Sequence, residues 1–379
     1  MKTILFDGRF LSLSHAGIGR YSSELLKALL QIDKKQKYCL LIVPRTDLSK
    51  ELVCSFNERD EPVEIIETTA THYGWAEQTT LLRQLNRLHP DLVHFPHFNH
   101  PVLYKGDFVV TIHDLTLSSY SERGNFLKRA VYNKVITHAA QNSKKIFTVS
   151  DFVNKELSRE FGLPQGKVVT TYNGIDGRFT KITNPKTLSR SEQYGLQDPY
   201  IVSVGQWRSH KNLLRLVQAF KKVIDKSSRY PNLKLAFVGR KEEKYPQLEQ
   251  KIRDLQIEDR VIFTGFVKDE DLPVIYNNAI CFIFASMSEG FGLPGLEAQA
   301  CEVPVISSNK TALPEIYADG ALYFDPENTT DMADKILQVL KDDNLRNQLK
   351  KLGVKNAKRF SWEKAAAQTL AVYKEILYK

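Results

Sequence analysis

The chain has 379 residues, with 53 lysines and arginines against 44 acids and a formal net charge of +9, and the two signs are interspersed along its length. Its length and its 42% apolar share fall in the range of soluble globular proteins with room for two domains, which excludes a disordered or fibrous chain. No run approaches the roughly eighteen apolar residues of a membrane span, and no continuous basic face with interleaved aromatics points to nucleic acid.

The opening "MKTILFDGRF" reads as a strand carrying charges rather than a signal sequence, so the expected location is the cytoplasm. In "SHAGIGRYSSELLKALL", Gly17 and Gly19 then open an amphipathic helix. A GxG at the end of a strand is weak alone, but it is placed to close over a pyrophosphate. The apolar runs "YCLLIV", "DLVHF", "FVVTIHD" and "KIFTVS" read as further strands alternating with helices.

"HFPHFNHP" spaces His94, His97 and His100 three apart. In extended chain His94 and His97 point to opposite faces, which argues against a metal. His97 and Asn99 read either as lining an acceptor cleft or as packed loop residues, and Asp114, next to His113, reads equally as a base or a loop cap. Over residues 121–145, Arg123, Lys128, Arg129, Lys134, Lys144 and Lys145 stand against the single acid Glu122, with Phe126, Leu127, Val131 and Tyr132 at helical spacing. That pattern suits an anionic membrane surface, or an ordinary helix whose apolar stripe is core.

The polar, aperiodic "FTKITNPKTLSRSEQYGLQDP" reads as a linker, and five more strands follow it: "YIVSVG", "KLAFVG", "RVIFTG", "ICFIFAS" and "PVISSN". Strand and helix in alternation imply parallel sheets. The fold class expected is α/β, with two Rossmann-like domains facing one another across a cleft and a C-terminal helix after the second. The expected boundaries are 1–179 for the first domain, 180–199 for the linker, 200–353 for the second domain and 354–379 for a closing helical segment. In that segment Ser361 reads as the N-cap and Glu363 sits in the first turn. Cys39, Cys54, Cys281 and Cys301 lack CxxC spacing, so neither disulfides nor zinc are expected.

Ligands of such sheets bind beyond the carboxyl ends of the strands. In "VSVGQWRSHKNLLRLVQAF" a strand ends at Gly205 and a helix begins near Asn212. Arg208, His210 and Lys211 are left at its mouth, where cations neutralise a diphosphate leaving group or are merely solvated. "RVIFTG" ends likewise at Gly265. After "ICFIFAS" comes "SEGFGLPGLEAQA", turning through Gly290 and Gly292 into a helix with Pro294 at its start. The free amides and positive end of that helix favour pyrophosphate. Glu289 and Glu297 would be repelled by phosphate, so they suit sugar hydroxyls, one holding a ribose and the other a transferred sugar.

These residues resemble glycosyltransferase family 4, retaining enzymes of the GT-B fold, over nearly the whole chain. "EGFGLPGLE" has the family's E-x7-E spacing, and "AGIGRY", "TIHDL", "VSDF", "YNGID", "KNLLRLVQAF", "FTGFV", "LPEI" and "FSWEKAA" recur at corresponding places. The chain is similar in particular to the bacterial mannosyltransferase-like branch that builds cell-surface polysaccharides. The resemblance implies that Glu289 contacts donor-sugar hydroxyls and Glu297 the nucleotide ribose. It further implies that Phe291, Gly292 and Leu293 present amides to sugar and phosphate, that Lys211 pairs with the diphosphate, that His113 faces the sugar, and that Gly17 and Gly19 approach the pyrophosphate. Gly205 and Gly265 belong with the donor-binding glycines. Gln206 departs from the family, which often has arginine there; Arg208 is expected to substitute from elsewhere on the loop, and His210 also stands where arginine is frequent.

The function so implied is transfer of a hexose, with mannose favoured, from a nucleotide-diphosphate sugar to a saccharide or lipid-linked saccharide. GDP-mannose is preferred over a UDP-sugar. No cofactor and no metal are expected, because the cationic loop and helix end supply the charge, and the setting is the cytoplasm, at the inner face of the membrane if the basic helix docks there. A nucleotide-sugar epimerase of similar shape and a noncatalytic nucleotide-sugar binder are the alternatives.

Overall fold

The computed structural model describes residues 1–11, 16–44, 62–72, 74–115, 126–240 and 246–379. The chain forms two compact units, Met1–Gly174 together with Ser361–Lys379, and Ile175–Phe360.

The first unit holds a sheet of β1 (Thr3–Asp7), β2 (Lys37–Ile42), β3 (Glu64–Glu67), β4 (Leu92–Phe95), β5 (Phe108–Ile112), β6 (Lys145–Thr148) and β7 (Val168–Thr170). Its order is β3-β2-β1-β4-β5-β6-β7, and every pairing is parallel. The second unit holds β8 (Tyr200–Val204), β9 (Lys234–Val238), β10 (Val261–Gly265), β11 (Cys281–Phe284), β12 (Val305–Ser308) and β13 (Ala321–Phe324). Here the order is β10-β9-β8-β11-β12-β13, again all parallel.

The ten apolar runs read from the sequence are the ten strands other than β3, β7 and β13, and those three lie at sheet edges. An inner parallel strand is buried on both faces and so reads as unbroken hydrophobic sequence, as "CFIF" and "FVVTI" do. An edge strand is short and half-exposed: "EIIE" carries an acid at each end and "VVT" has no fully buried residue. Each core lies between its sheet and the covering helices. Ile201, Phe220, Leu235, Ile283 and Ile336 anchor one, and Leu5, Val93, Phe95, Val110 and Leu157 the other.

Residues 180–199 differ from a loose linker. They form a short helix, Pro185–Leu188, capped by Asn184, followed by a 3-10 turn, Ser189–Tyr194. Asn277 accepts from the Ile182 amide at 2.8 Å, Asn278 donates to the Leu188 carbonyl at 2.8 Å, and the Tyr194 hydroxyl donates to Asp271 at 2.8 Å. These side chains satisfy backbone that a free linker would leave to water, so the segment folds as part of the second unit.

The closing helix, Trp362–Leu377, starts where Ser361 accepts from the Lys364 amide, with Glu363 in its first turn. It follows the second unit in sequence but belongs to the first, where it packs along the helix Ala16–Ile32. The hydroxyl of Tyr373, on this helix, meets His94 Nδ1, and Thr111 Oγ1 lies 2.9 Å from His94 Nε2 and from the Tyr21 hydroxyl. Burial of these groups explains why the helix is not a free appendage: the Tyr373 hydroxyl and His94 Nδ1 find each other only when the helix docks. Cys39, Cys281 and Cys301 are buried free thiols, with burial pushing Cys39 up to about 11 and Cys281 up to about 12; Cys54 lies outside the described residues.

Candidate functional site

In the second unit the chain runs outward from β8 through β9 to β10, then restarts at β11 and runs the other way. The reversal between neighbouring β8 and β11 is a topological switch point, where loops diverge and leave a crevice at the carboxyl end of the sheet. The two loops leaving these strands are those of Lys211 and Glu289.

The β8 loop is held by its own backbone. A 3-10 turn, Ser209–Lys211, passes into Asn212, which takes a left-handed conformation (φ +58°) before the helix Leu213–Lys226. Asparagine tolerates that conformation better than most residues. Its buried amide donates to the Ala285 carbonyl at 3.1 Å and the Pro326 carbonyl at 2.7 Å, and the Met287 amide donates to the His210 carbonyl at 2.7 Å. The Lys211 loop is thereby fastened to the end of β11. Replacing Asn212 with alanine leaves two buried carbonyls without these donors, so a stability loss of about 2 to 3 kcal/mol is expected, read in a denaturant titration; an unchanged midpoint would contradict the anchor.

Lys211 Nζ lies 2.5 Å from Glu289 Oε1 and 5.0 Å from the centre of the Phe284 ring, with the lysine and glutamate side chains 17% and 14% exposed. Two residues assigned separately, one to a diphosphate and one to a sugar, are therefore paired with each other. Beneath them a small pocket is lined by Ser203, Gly205, Gln206, Lys211, Phe284 and Ser286, among others. Close backbone approach shapes it: a Cβ on Gly239 (φ +140°) would sit 2.3 Å from the Gly205 carbonyl oxygen. Gly205 directly follows β8 and Gly265 is the last residue of β10.

The glycine loop after β11 is fixed from behind by Tyr317. Its buried hydroxyl donates to the Gly292 carbonyl at 2.6 Å, and a Cβ on Gly292 (φ +98°) would lie 2.5 Å from that hydroxyl. Burial first, then the nearby Glu289 charge, raises the Tyr317 pKa well above its ordinary value, so it remains a neutral donor. The Glu289 amide donates to Thr311 Oγ1 at 3.0 Å. The helix Leu293–Ala300 begins directly after Gly292 and carries Pro294 in its first turn. Phe291 is buried edge-on against Phe360, with centroids 5.8 Å apart. Glu297 is only 2% exposed and accepts from the buried Tyr276 hydroxyl at 3.0 Å.

Of the loop cations, Arg208 is exposed and His210 half-buried. Against the expectation that the chain has no Asp-x-Asp triplet, one occurs at Asp269–Glu270–Asp271, and its Asp271 is engaged structurally. Asp271 is buried and paired with Arg190, with Tyr194 and Gln193 on its other oxygen.

In the first unit the reversal falls between β1 and β4. Gly17 and Gly19 lie in the first turn of the helix Ala16–Ile32, and a Cβ on Gly17 would meet nothing within 4 Å. His113 is half-buried, its Nε2 2.9 Å from the Pro96 carbonyl, with Tyr21 edge-on at 4.7 Å. That carbonyl requires an N–H, so Nδ1 is the free lone pair of the neutral ring, and burial lowers the pKa to keep it neutral. His97 and Asn99 are 7% and 3% exposed. Phe10 and Phe98 pack on His97, and the Asn99 amide donates to His97 Nδ1 at 3.4 Å. Asp114 is half-buried.

The three spaced histidines serve different partners: His94 faces Tyr373 and Thr111, while His100 meets the Phe98 carbonyl and His138 at 2.8 Å. Among the described residues no group of three or more His, Cys, Asp or Glu side chains is arranged to hold a metal. A buried ion cluster joins Arg9 to Asp7 at 2.7 Å and to Glu77 at 3.0 Å.

The basic stretch 121–145 forms the helix Phe126–Asn142 followed by β6. Glu122 and Arg123 lie outside the described residues, as do the side chains of Phe126, Leu127, Lys128 and Arg129. Tyr132, Val135, Ile136, Ala139 and Ala140 pack into the core, while Val131 and Lys134 are exposed. Lys144 pairs with Asp107 at 3.1 Å and Lys145 with Glu375 at 3.5 Å. No helix among the described residues is long and apolar enough to cross a membrane.

Asn212, Tyr276, Tyr317 and Ser286 were not read from the sequence as site residues. Only Asn212 gave a local signal, an asparagine at a helix start where a left-handed turn is needed.

Comparison with known proteins agrees with this layout. The family model for Glycosyltransferase Family 4 matches residues 16–178, and that for Glycosyl transferases group 1 matches residues 186–356. The O-antigen chain mannosyltransferase B of Escherichia coli is 30% identical over 98% of this chain and 99% of its own. Among solved structures, the sucrose-phosphate synthase of Thermosynechococcus elongatus superposes with a TM-score of 0.80 at 19% identity, covering all of both chains. Anabaena HepE, solved in complex with UDP and glucose, does so with a TM-score of 0.75 at 18% identity over 99% of this chain and 100% of its own. Those two likenesses concern the fold. With a match of this length the epimerase reading falls, and the chain belongs to glycosyltransferase family 4, as a sugar-transferring enzyme on the GT-B plan of two Rossmann-like units.

Proposed function

We propose that this glycosyltransferase moves mannose from GDP-mannose to a saccharide or lipid-linked saccharide, with retention of anomeric configuration, in the assembly of a cell-surface polysaccharide. The observation that carries the reading is the Lys211–Glu289 pair, 2.5 Å apart at the switch point of the second unit. A cation and an acid brought together beside a helix N-terminus match the two needs of the reaction. Lys211 and the helix amides neutralise the departing diphosphate, while Glu289 holds sugar hydroxyls and faces positive charge developing on the ring. Arg208, exposed on the same loop, is the second cation in this assignment, and Glu297 holds the ribose.

The acceptor is assigned to the first unit, whose strand-end loops carry His97, Asn99, His113 and Asp114. Retention needs no protein nucleophile when the departing phosphate oxygen takes the acceptor proton and attack comes from the same face. Mannose and polysaccharide assembly are supported by the whole-length similarity to a protein named as an O-antigen chain mannosyltransferase.

Calorimetric titration of the protein with GDP-mannose, UDP-glucose and UDP-N-acetylglucosamine, in buffer containing EDTA, tests donor and metal independence together. GDP-mannose is expected to bind at least about tenfold more tightly than either UDP-sugar, a difference of about 1.4 kcal/mol. Preference for a UDP-sugar overturns the donor, and binding only after magnesium or manganese is restored overturns the metal-free clamp.

A further inference from the structure

Ser286 closes the strand-end segment after β11, between Ala285, whose carbonyl accepts from Asn212, and Met287, whose amide donates to the His210 carbonyl. Ala285 belongs to the core beneath the sheet. Successive residues of extended chain point to opposite sides. Ser286 accordingly lines the pocket under Lys211, together with Phe284, Ser203 and Gly205. Its side chain is fully buried, and its hydroxyl has no hydrogen-bond partner among the described residues. A buried polar group without a partner is destabilising, and in native proteins it calls for a reason. Alanine would fill the same space without that penalty.

We propose that Ser286 is a donor-contacting residue whose hydroxyl donates to an oxygen of the nucleotide diphosphate, the same group that Lys211 neutralises. Lys211, which pairs with Glu289, lines the same pocket as the unmatched Ser286 hydroxyl. When a donor enters, Lys211 turns to the diphosphate and Glu289 to the sugar, and Ser286 finds its acceptor. The anion fits the hydroxyl for a physical reason: an O–H donor to a charged oxygen makes a stronger bond than one to a neutral group. The pocket otherwise offers a cation, a second serine, Gln206 and backbone at Gly205. This inference rests on the assignment of the second unit as the nucleotide-sugar site.

The test is Ser286→Ala in the full chain, with Ser286→Thr as the variant that restores a hydroxyl. Thermal melting and calorimetric titration with GDP, UDP and guanosine are measured on each. Ser286→Ala is expected to melt no lower than the parent protein and to bind both GDP and UDP about ten- to a hundredfold more weakly. Guanosine, which has no phosphate, is expected to bind alike in parent and variant, and Ser286→Thr to recover part of the loss. Equal affinity of parent and Ser286→Ala for GDP overturns the proposal, as does a variant that melts lower and loses guanosine binding along with GDP. A parent protein that binds no nucleotide removes the functional reading and this inference with it, a result distinct from either of those.

Discussion

Glu289→Gln is expected to lower turnover by on the order of 10²-fold or more, while the melting temperature changes little. Glutamine keeps the size of the side chain and leaves the loop backbone untouched. The Glu289 amide still meets Thr311, and Tyr317 still holds the Gly292 carbonyl. What disappears is the negative charge that faces Lys211 and that the proposed reaction sets against the sugar ring. The pair is mostly buried, but glutamine keeps an amide oxygen within reach of Lys211 and so a partner for its charge, so the loss should appear in the rate rather than in the fold. Initial rates at saturating donor, with a melt as control, make the check; near-parental turnover would remove Glu289 from the reaction.

Glu297→Ala is expected to damage both fold and reaction. The sequence alone suggests an acid near a helix start that holds sugar hydroxyls and whose loss would leave the fold intact, but the carboxylate is 2% exposed and accepts from the buried Tyr276 hydroxyl. Alanine leaves a cavity and an orphaned hydroxyl, together costing about 2 to 4 kcal/mol. Glu297→Gln retains an oxygen for Tyr276 and most of the volume. It should therefore stay close to the parent in a denaturant titration yet lose ribose recognition, visible as a raised KM for the donor. If glutamine leaves the KM unchanged, Glu297 serves Tyr276 alone and has no part in holding the nucleotide.

What was legible in the sequence follows from where burial is complete. Inner strands such as β11, and β5 apart from Thr111, are apolar because both faces are covered, whereas β3 and β7, half-exposed at the edges, carry too little pattern to be read. In the glycine loop, local backbone geometry dictates local sequence: Gly292 has a positive φ and Pro294 opens a helix, so "GFGLPG" announces itself.

The partnerships that make the loop a site were not legible, because each joins residues far apart in sequence. Lys211 and Glu289 are 78 positions apart, Asn212 and Ala285 are 73, and Tyr317 and Gly292 are 25. No periodicity carries such information; it emerges only when β8 and β11 lie side by side. The segment 180–199 misled for a related reason. Its polar residues looked solvent-facing, and only Asn277, Asn278 and Asp271, 77 to 95 positions later, turn it into packed structure.

On the reading proposed above, the Lys211–Glu289 pair marks the donor site. A crystal structure of the protein with GDP-mannose, or with GDP and mannose, tests it most directly, through the distance from Lys211 Nζ to its nearest partner. The account predicts that Lys211 leaves Glu289 for a diphosphate oxygen at ordinary hydrogen-bond distance, about 2.7 to 2.9 Å, and that Glu289 turns to the sugar hydroxyls. A nucleotide bound elsewhere, with the Lys211–Glu289 pair intact, would contradict it.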